Sequence, residues 1–275
     1  MYGTVIYFIP IEMALAPELA TIRGIAGKFK RAGLVGELIT GMIRGETGRD
    51  LVDDGRRLVA EYGGDEYVRV SGLENIPKGR GVLIVFNHPN SDVLFPAILN
   101  LMVKVYDEGG HKPVFLMGEE IPMTQRFNEI YPVPGSITLI RRFQHLYSGN
   151  IIGVPVSRSR KDYLSGRSLA LGGAMARLEA GGVIYIAPEG HVEVNNSISP
   201  IETFHAGTGR MAMRASAIGV SVVPVGIWEQ EDRKRIHVQV GGPFVIEGVS
   251  SIGAVRELME RIADELPEQF RGPFA

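Results

Sequence analysis

The stretch Gly81-Val82-Leu83-Ile84-Val85-Phe86-Asn87-His88-Pro89-Asn90-Ser91-Asp92 runs from an uninterrupted apolar segment into a polar knot. A continuous run of Val, Leu and Ile without polar alternation predicts a strand at 81–86 buried on both faces, as in a parallel sheet. The knot that follows permits two readings. His88 can take a proton from a hydroxyl near neutral pH, and Asp92 can steady the imidazolium that forms. Alternatively the knot is a loop in which Asn90, Ser91 or Asp92 caps the next helix.

Working outward, further strands are predicted at 113–117, 152–156, 182–187, 220–226 and 236–241. Helices are predicted near 93–106, 123–131, 137–147, 165–180, 206–218 and 251–266. Alternation of this kind predicts an α/β fold with a mostly parallel central sheet flanked by helices, spanning residues 68–275. Ligands in such folds sit beyond the carboxyl ends of the strands. His88 after strand 81–86 and Glu189 after strand 182–187 are therefore expected at one edge of the sheet.

Residues 1–67 read as an N-terminal helical appendage. Within 18–44, Ile22, Ile25, Phe29, Leu34, Leu38, Ile39, Met42 and Ile43 fall at helical spacing, with Arg23, Lys28, Lys30 and Arg31 off the stripe. A basic amphipathic helix suits an anionic membrane surface, and equally it can pack on the body of the domain.

The chain of 275 residues is 45% hydrophobic and 22% charged, which is ample for a sizeable core. Its net charge of −2 gives no basic field for nucleic acid. It has no cysteine, which rules out disulfides, thiolate nucleophiles and Cys-based zinc sites. The scattered His111, His145 and His237 show no metal-ligand spacing, so no metal is expected. No stretch reaches the roughly 18 uninterrupted apolar residues of a spanning helix. The start of the chain lacks the basic region and cleavage site of a secretory signal. A soluble or peripheral protein is expected.

Three more clusters carry potential chemistry. Ala187-Pro188-Glu189-Gly190-His191 can aim a carboxylate into a cleft, or form an ordinary turn. Ser157-Arg158-Ser159-Arg160-Lys161 places cations where a phosphate or carboxylate can be gripped, or forms a solvated strand end. Phe204-His205-Ala206-Gly207-Thr208-Gly209-Arg210 loosely resembles an anion-binding turn before a helix.

The order of these clusters resembles the lysophospholipid (glycerol-phosphate) acyltransferase family. The matching blocks are "FNHPNSD" (86–92), "GVPVSRSR" (153–160), "IAPEG" (186–190) and "VSVVPVGIW" (220–228), with "VQVGGPFVI" (238–246) similar to the family's closing strand and turn. The resemblance implies acyl transfer from acyl-CoA or acyl carrier protein to the hydroxyl of a glycerolipid, in phospholipid biosynthesis or remodelling, with no further cofactor. It implies His88 and Asp92 as the catalytic pair and Arg158 as the grip on the acceptor's anionic head, with Arg160 or Lys161 as helpers. Glu189, Gly190 and His191 then complete the acceptor site, with Glu189 bonding acceptor hydroxyls. It also implies a cytoplasmic protein, peripheral at the membrane face. Another lipid acceptor, or a lipid-binding protein without turnover, are the alternatives. Two departures stand out. Three residues separate His88 from Asp92 where the family typically has four, and Pro-Glu-Gly continues as His191-Val192-Glu193 instead of Thr-Arg-Ser.

Overall fold

The structure, a computed structural model, describes residues 32–120, 122–123, 131–132, 135–193, 197–200, 206–230, 235–248 and 250–275. Its centre is a seven-stranded sheet. The strands are β1 (Val68–Ser71), β2 (Val82–Phe86), β3 (Pro113–Gly118), β6 (Ile151–Val154), β7 (Val183–Ile186), β8 (Ser221–Gln230) and β9 (Arg235–Val240). Their spatial order is β1-β9-β8-β2-β7-β3-β6. The β8–β9 pairing is antiparallel and the others are parallel. β2, β3, β6, β7 and β8 thus point their carboxyl ends to one edge.

The predicted apolar strand is the middle of this sheet. Val82, Leu83, Ile84 and Val85 are fully buried. Alternate residues serve opposite cores: Val82, Ile84 and Phe86 face one, Leu83 and Val85 the other. The first core is covered by α1 (Ala32–Arg44), α2 (Leu51–Tyr62), α3 (Ser91–Gly109) and α4 (Ser136–Leu146). The second is covered by α5 (Tyr163–Glu179), α6 (Ala206–Ala217) and α7 (Ser251–Asp264). The result is a three-layer α/β sandwich.

Two sequence expectations change here. A helix near 123–131 is replaced at both ends by short strands, β4 (Pro122–Met123) and β5 (Tyr131–Pro132), which pair antiparallel. Pro122, Pro132 and Pro134 explain this, because a proline lacks the helical donor and pushes the residue before it into extended backbone. Residues 124–130 lie outside the described residues. So do Ile22 to Arg31, the first half of the amphipathic stripe. Its second half, in α1, packs on the body: Leu34 is 1% exposed, and Leu38, Ile39 and Met42 lie against the first core. Ile43, the last residue of the stripe, is 69% exposed and does not share that packing. No helix among the described residues is long and apolar enough to cross a membrane.

Candidate active site

The site begins where β2 stops. Asn87, 1% exposed, continues the pairing of β2 with β8 through its side chain. Its Nδ2 donates to the Ile227 carbonyl at 2.9 Å and its Oδ1 accepts from the Ile227 N–H at 2.7 Å. The chain can then turn at His88-Pro89 with its direction fixed. Asn90 caps α3, its Oδ1 accepting from the N–H groups of Asp92 (3.1 Å) and Val93 (3.2 Å). Of the two readings of the knot, the capping one is therefore present, and it is Asn90 that does it.

Capping splits the expected pair across the helix start. His88 lies two residues before the cap, while Asp92 is exposed in the first turn of α3. They do not share a helical turn. His88 Nδ1 sits 3.3 Å from the Pro89 carbonyl oxygen. A carbonyl only accepts, so this contact favours the proton on Nδ1 and leaves the lone pair on Nε2. Among the described residues Nε2 has no hydrogen-bond partner. The imidazole is partly buried, and that burial, with the nearby His191, holds its pKa below the usual 6.5. A neutral ring with an open Nε2 can accept a proton at neutral pH.

The loop after β7 supports this histidine from below. Pro188 and Glu189 are buried, and Gly190 (φ 70°) closes a turn whose amide donates to the Ala187 carbonyl. Glu189, 0% exposed, accepts from the His88 N–H at 3.1 Å and from the Ser199 N–H at 2.8 Å. Burial raises its pKa, and these two amides and His191 partly offset that. Both of its oxygens are thus committed to backbone. It pins two loops together, which is a different task from the expected contact with acceptor hydroxyls. His191 is also engaged on both ring nitrogens, with the Glu189 carbonyl (2.8 Å) and Ser199 Oγ (3.0 Å).

Sequence reasoning missed two members. Glu193 sends its backbone N–H to the His88 carbonyl (2.8 Å) and its Oε1 accepts from Asn87 Nδ2 (2.9 Å). It is 7% exposed, and among the described residues its Oε2 has no partner. Burial, reinforced by Glu189, pushes its carboxyl up to about 8. Asn87 and Glu193 thus form one buried clamp on either side of His88. The visible signal was the family departure itself, an acid where a serine is usual.

At the end of β6 the cations separate. Arg160 is enclosed by carboxylates: Glu119 at 2.6 Å, Glu120 at 2.7 Å and Asp162 at 2.5 Å. Its side chain is 10% exposed, so it is not available to a substrate anion, and the expectation that it helps grip the acceptor is corrected. Arg158 and Lys161 are exposed, and among the described residues neither has a carboxylate partner. The glycines of the loosely anion-binding turn stand in the first turn of a helix instead of before it. Gly207 and Gly209 lie inside α6. A Cβ on Gly209 would stand 1.9 Å from the Ser251 carbonyl oxygen, so this glycine serves the close approach of α7. Phe204 and His205 lie outside the described residues.

A family model described as Acyltransferase matches residues 67–228, more than half of the chain. The chain belongs to the acyltransferase family. It is an acyltransferase, built on a mostly parallel α/β sheet. The crystal structure of the 1-acyl-sn-glycerophosphate (LPA) acyltransferase PlsC from Thermotoga maritima is similar at 18% identity. That match covers 92% of this acyltransferase and 89% of that chain, with a TM-score of 0.46. The comparison with curated proteins found no match.

Proposed function

We propose that this acyltransferase moves a fatty acyl group from acyl-CoA or acyl carrier protein to a glycerolipid hydroxyl, with His88 as general base. Nε2 takes the proton of the acceptor hydroxyl as its oxygen attacks the thioester carbonyl. The carbon–sulfur bond then breaks and the thiolate leaves, recovering the proton from the imidazolium. Asp92, exposed nearby in the first turn of α3, favours the charged ring as it forms. Arg158 grips the acceptor's anionic head as a fork, with Lys161 beside it. Glu189, Asn87 and Glu193 hold the backbone on which His88 stands.

The observation that carries this reading is His88 itself: a partly buried ring at the carboxyl end of the central strand, of lowered pKa, whose Nε2 has no hydrogen-bond partner among the described residues. The same observation weighs against a lipid-binding protein without turnover, which has no need of an open ring nitrogen. A peripheral position at the cytoplasmic membrane face follows from a lipid acceptor and from the basic residues of 23–31.

The test is His88→Ala with an acyl thioester and a lysophospholipid extract. Turnover is expected to fall at least about 100-fold, the usual contribution of a general base. Full activity in the purified variant would remove His88 from the mechanism.

A further inference from the structure

A cavity of about 570 Å³ opens between α5 and α6, over the ends of β3, β6 and β7. That volume falls within the roughly 300–1,000 Å³ of small-molecule sites. Its floor is apolar, with Leu116 of β3 and Ile186 of β7, and Leu164 stands at its mouth, 77% exposed. Its walls carry three arginines: Arg167 from α5, and Arg210 and Arg214 one turn apart on α6.

These cations differ from the arginines that are tied into ion pairs. Arg49, Arg56, Arg57 and Arg160 each hold at least one carboxylate. Arg210 and Arg214 are exposed, and among the described residues neither has an acidic partner. Four positions apart on one helix, they repel each other. Arg167 is held in place, donating to the Pro155 carbonyl (3.2 Å) and lying over the Tyr163 ring (5.3 Å). A cavity with an apolar floor and unbalanced guanidinium forks fits a phosphate ester, because each fork matches two phosphate oxygens and an anion between the forks relieves the repulsion.

We propose that the α5–α6 cavity is a second anion site, taking a phosphate group joined to an apolar body and separate from the grip of Arg158. The proposal rests on the acyl-transfer reading for its ligand class, since a CoA thioester and a lysophospholipid both have that chemistry. Ile186 on the cavity floor lies three residues before Glu189, whose carboxylate holds the His88 amide. A ligand seated here is therefore beside the reacting edge.

The experiment is calorimetric binding to the full chain, wild type against Arg210→Gln/Arg214→Gln, which needs no turnover. The donor arm compares octanoyl-CoA with octanoyl-pantetheine, which lacks phosphate. The acceptor arm compares a short-chain lysophosphatidate with the matching monoacylglycerol. The double variant is expected to weaken one phosphate-bearing probe about tenfold or more while its phosphate-free partner is unchanged, and the affected arm names the source. In the wild type, inorganic pyrophosphate should displace that same probe. Equal effects on both members of each pair, or no displacement, would overturn the site. Wild type that binds in this way yet transfers no acyl group would instead sink the catalytic reading and leave the cavity assignment standing. Both arginines are exposed, so an unchanged melting temperature is expected and separates loss of binding from loss of fold.

Discussion

The loops after β7 and after β6 end at the same edge of the sheet and hold opposite charges in opposite ways. After β7, Glu189 and Glu193 are closed inside, and their partners are backbone N–H groups and one side-chain amide. After β6, Arg160 is locked among three carboxylates while Arg158, two residues earlier, stands in solvent. A charge that finds its partners within the fold builds the site. A charge left to solvent remains available to a substrate. Proximity in sequence does not separate these two cases, since Arg158 and Arg160 belong to one block.

The comparison can be broken most forcefully at Arg160. Arg160→Met removes the cation facing Glu120, which is 4% exposed and also accepts from the Val156 and Ser157 amides. Breaking one side of a buried pair commonly costs about 3–5 kcal/mol, and a loss of that order is expected in urea denaturation. A change below about 1 kcal/mol would show that the cluster does not hold the loop.

Glu193 sharpens the contrast through pH. Its folded pKa of about 8 lies above the ordinary 4.5, so between those values the folded chain keeps a proton that the unfolded chain has lost. Stability from this group is then full below about pH 4.5 and declines as pH rises through about 8. Glu189 has the same sign and His88 the opposite one, so the wild-type curve is a sum. Glu193→Gln keeps an oxygen for Asn87 and removes the titration. The difference between variant and wild type should grow in the variant's favour across this window, read from melting temperatures. A constant difference would assign the group an ordinary pKa.

The smallest effect is expected at Arg158. Arg158→Lys keeps the charge but loses the fork, and an exposed site should change stability by no more than about 0.5 kcal/mol. One lost hydrogen bond of about 1 kcal/mol corresponds to a KM for an anionic acceptor raised about fivefold, with the donor KM unchanged. An unchanged acceptor KM would move the acceptor grip elsewhere.

Much of this was legible locally. The strands at 81–86, 113–117 and 182–187 announce themselves as apolar runs between Gly, Pro and Lys, and the rule for parallel sheets brings His88 and Glu189 to one edge. Strand β1, Val68-Arg69-Val70-Ser71, is a short edge strand of mixed polarity, and its partner β9 lies far along the chain. Helix α2 had signals that went unused: Asp50 caps its start and Gly63, in left-handed conformation, ends it. The clamp of Asn87 and Glu193 was not legible, because it depends on β8 lying beside β2 and on the path of the loop after β7. The fates of Arg158 and Arg160 likewise depend on Glu119 and Glu120, delivered by the neighbouring strand β3.

The side chain of Asn87 that grips Ile227 reaches across 140 positions of sequence. During synthesis the chain emerges from its N-terminus, so β2 exists long before either of its flanking strands, β7 and β8. A nascent chain that stops short of Ser221 holds an apolar strand with one side bare and a histidine loop that lacks its anchor on Ile227. The centre of the sheet thus waits for β8, and reactivity arrives only with it. Contacts of such long range are slow to form. A chain truncated anywhere before β8 should be both insoluble and inert, even though every residue assigned here to the chemistry has already been made.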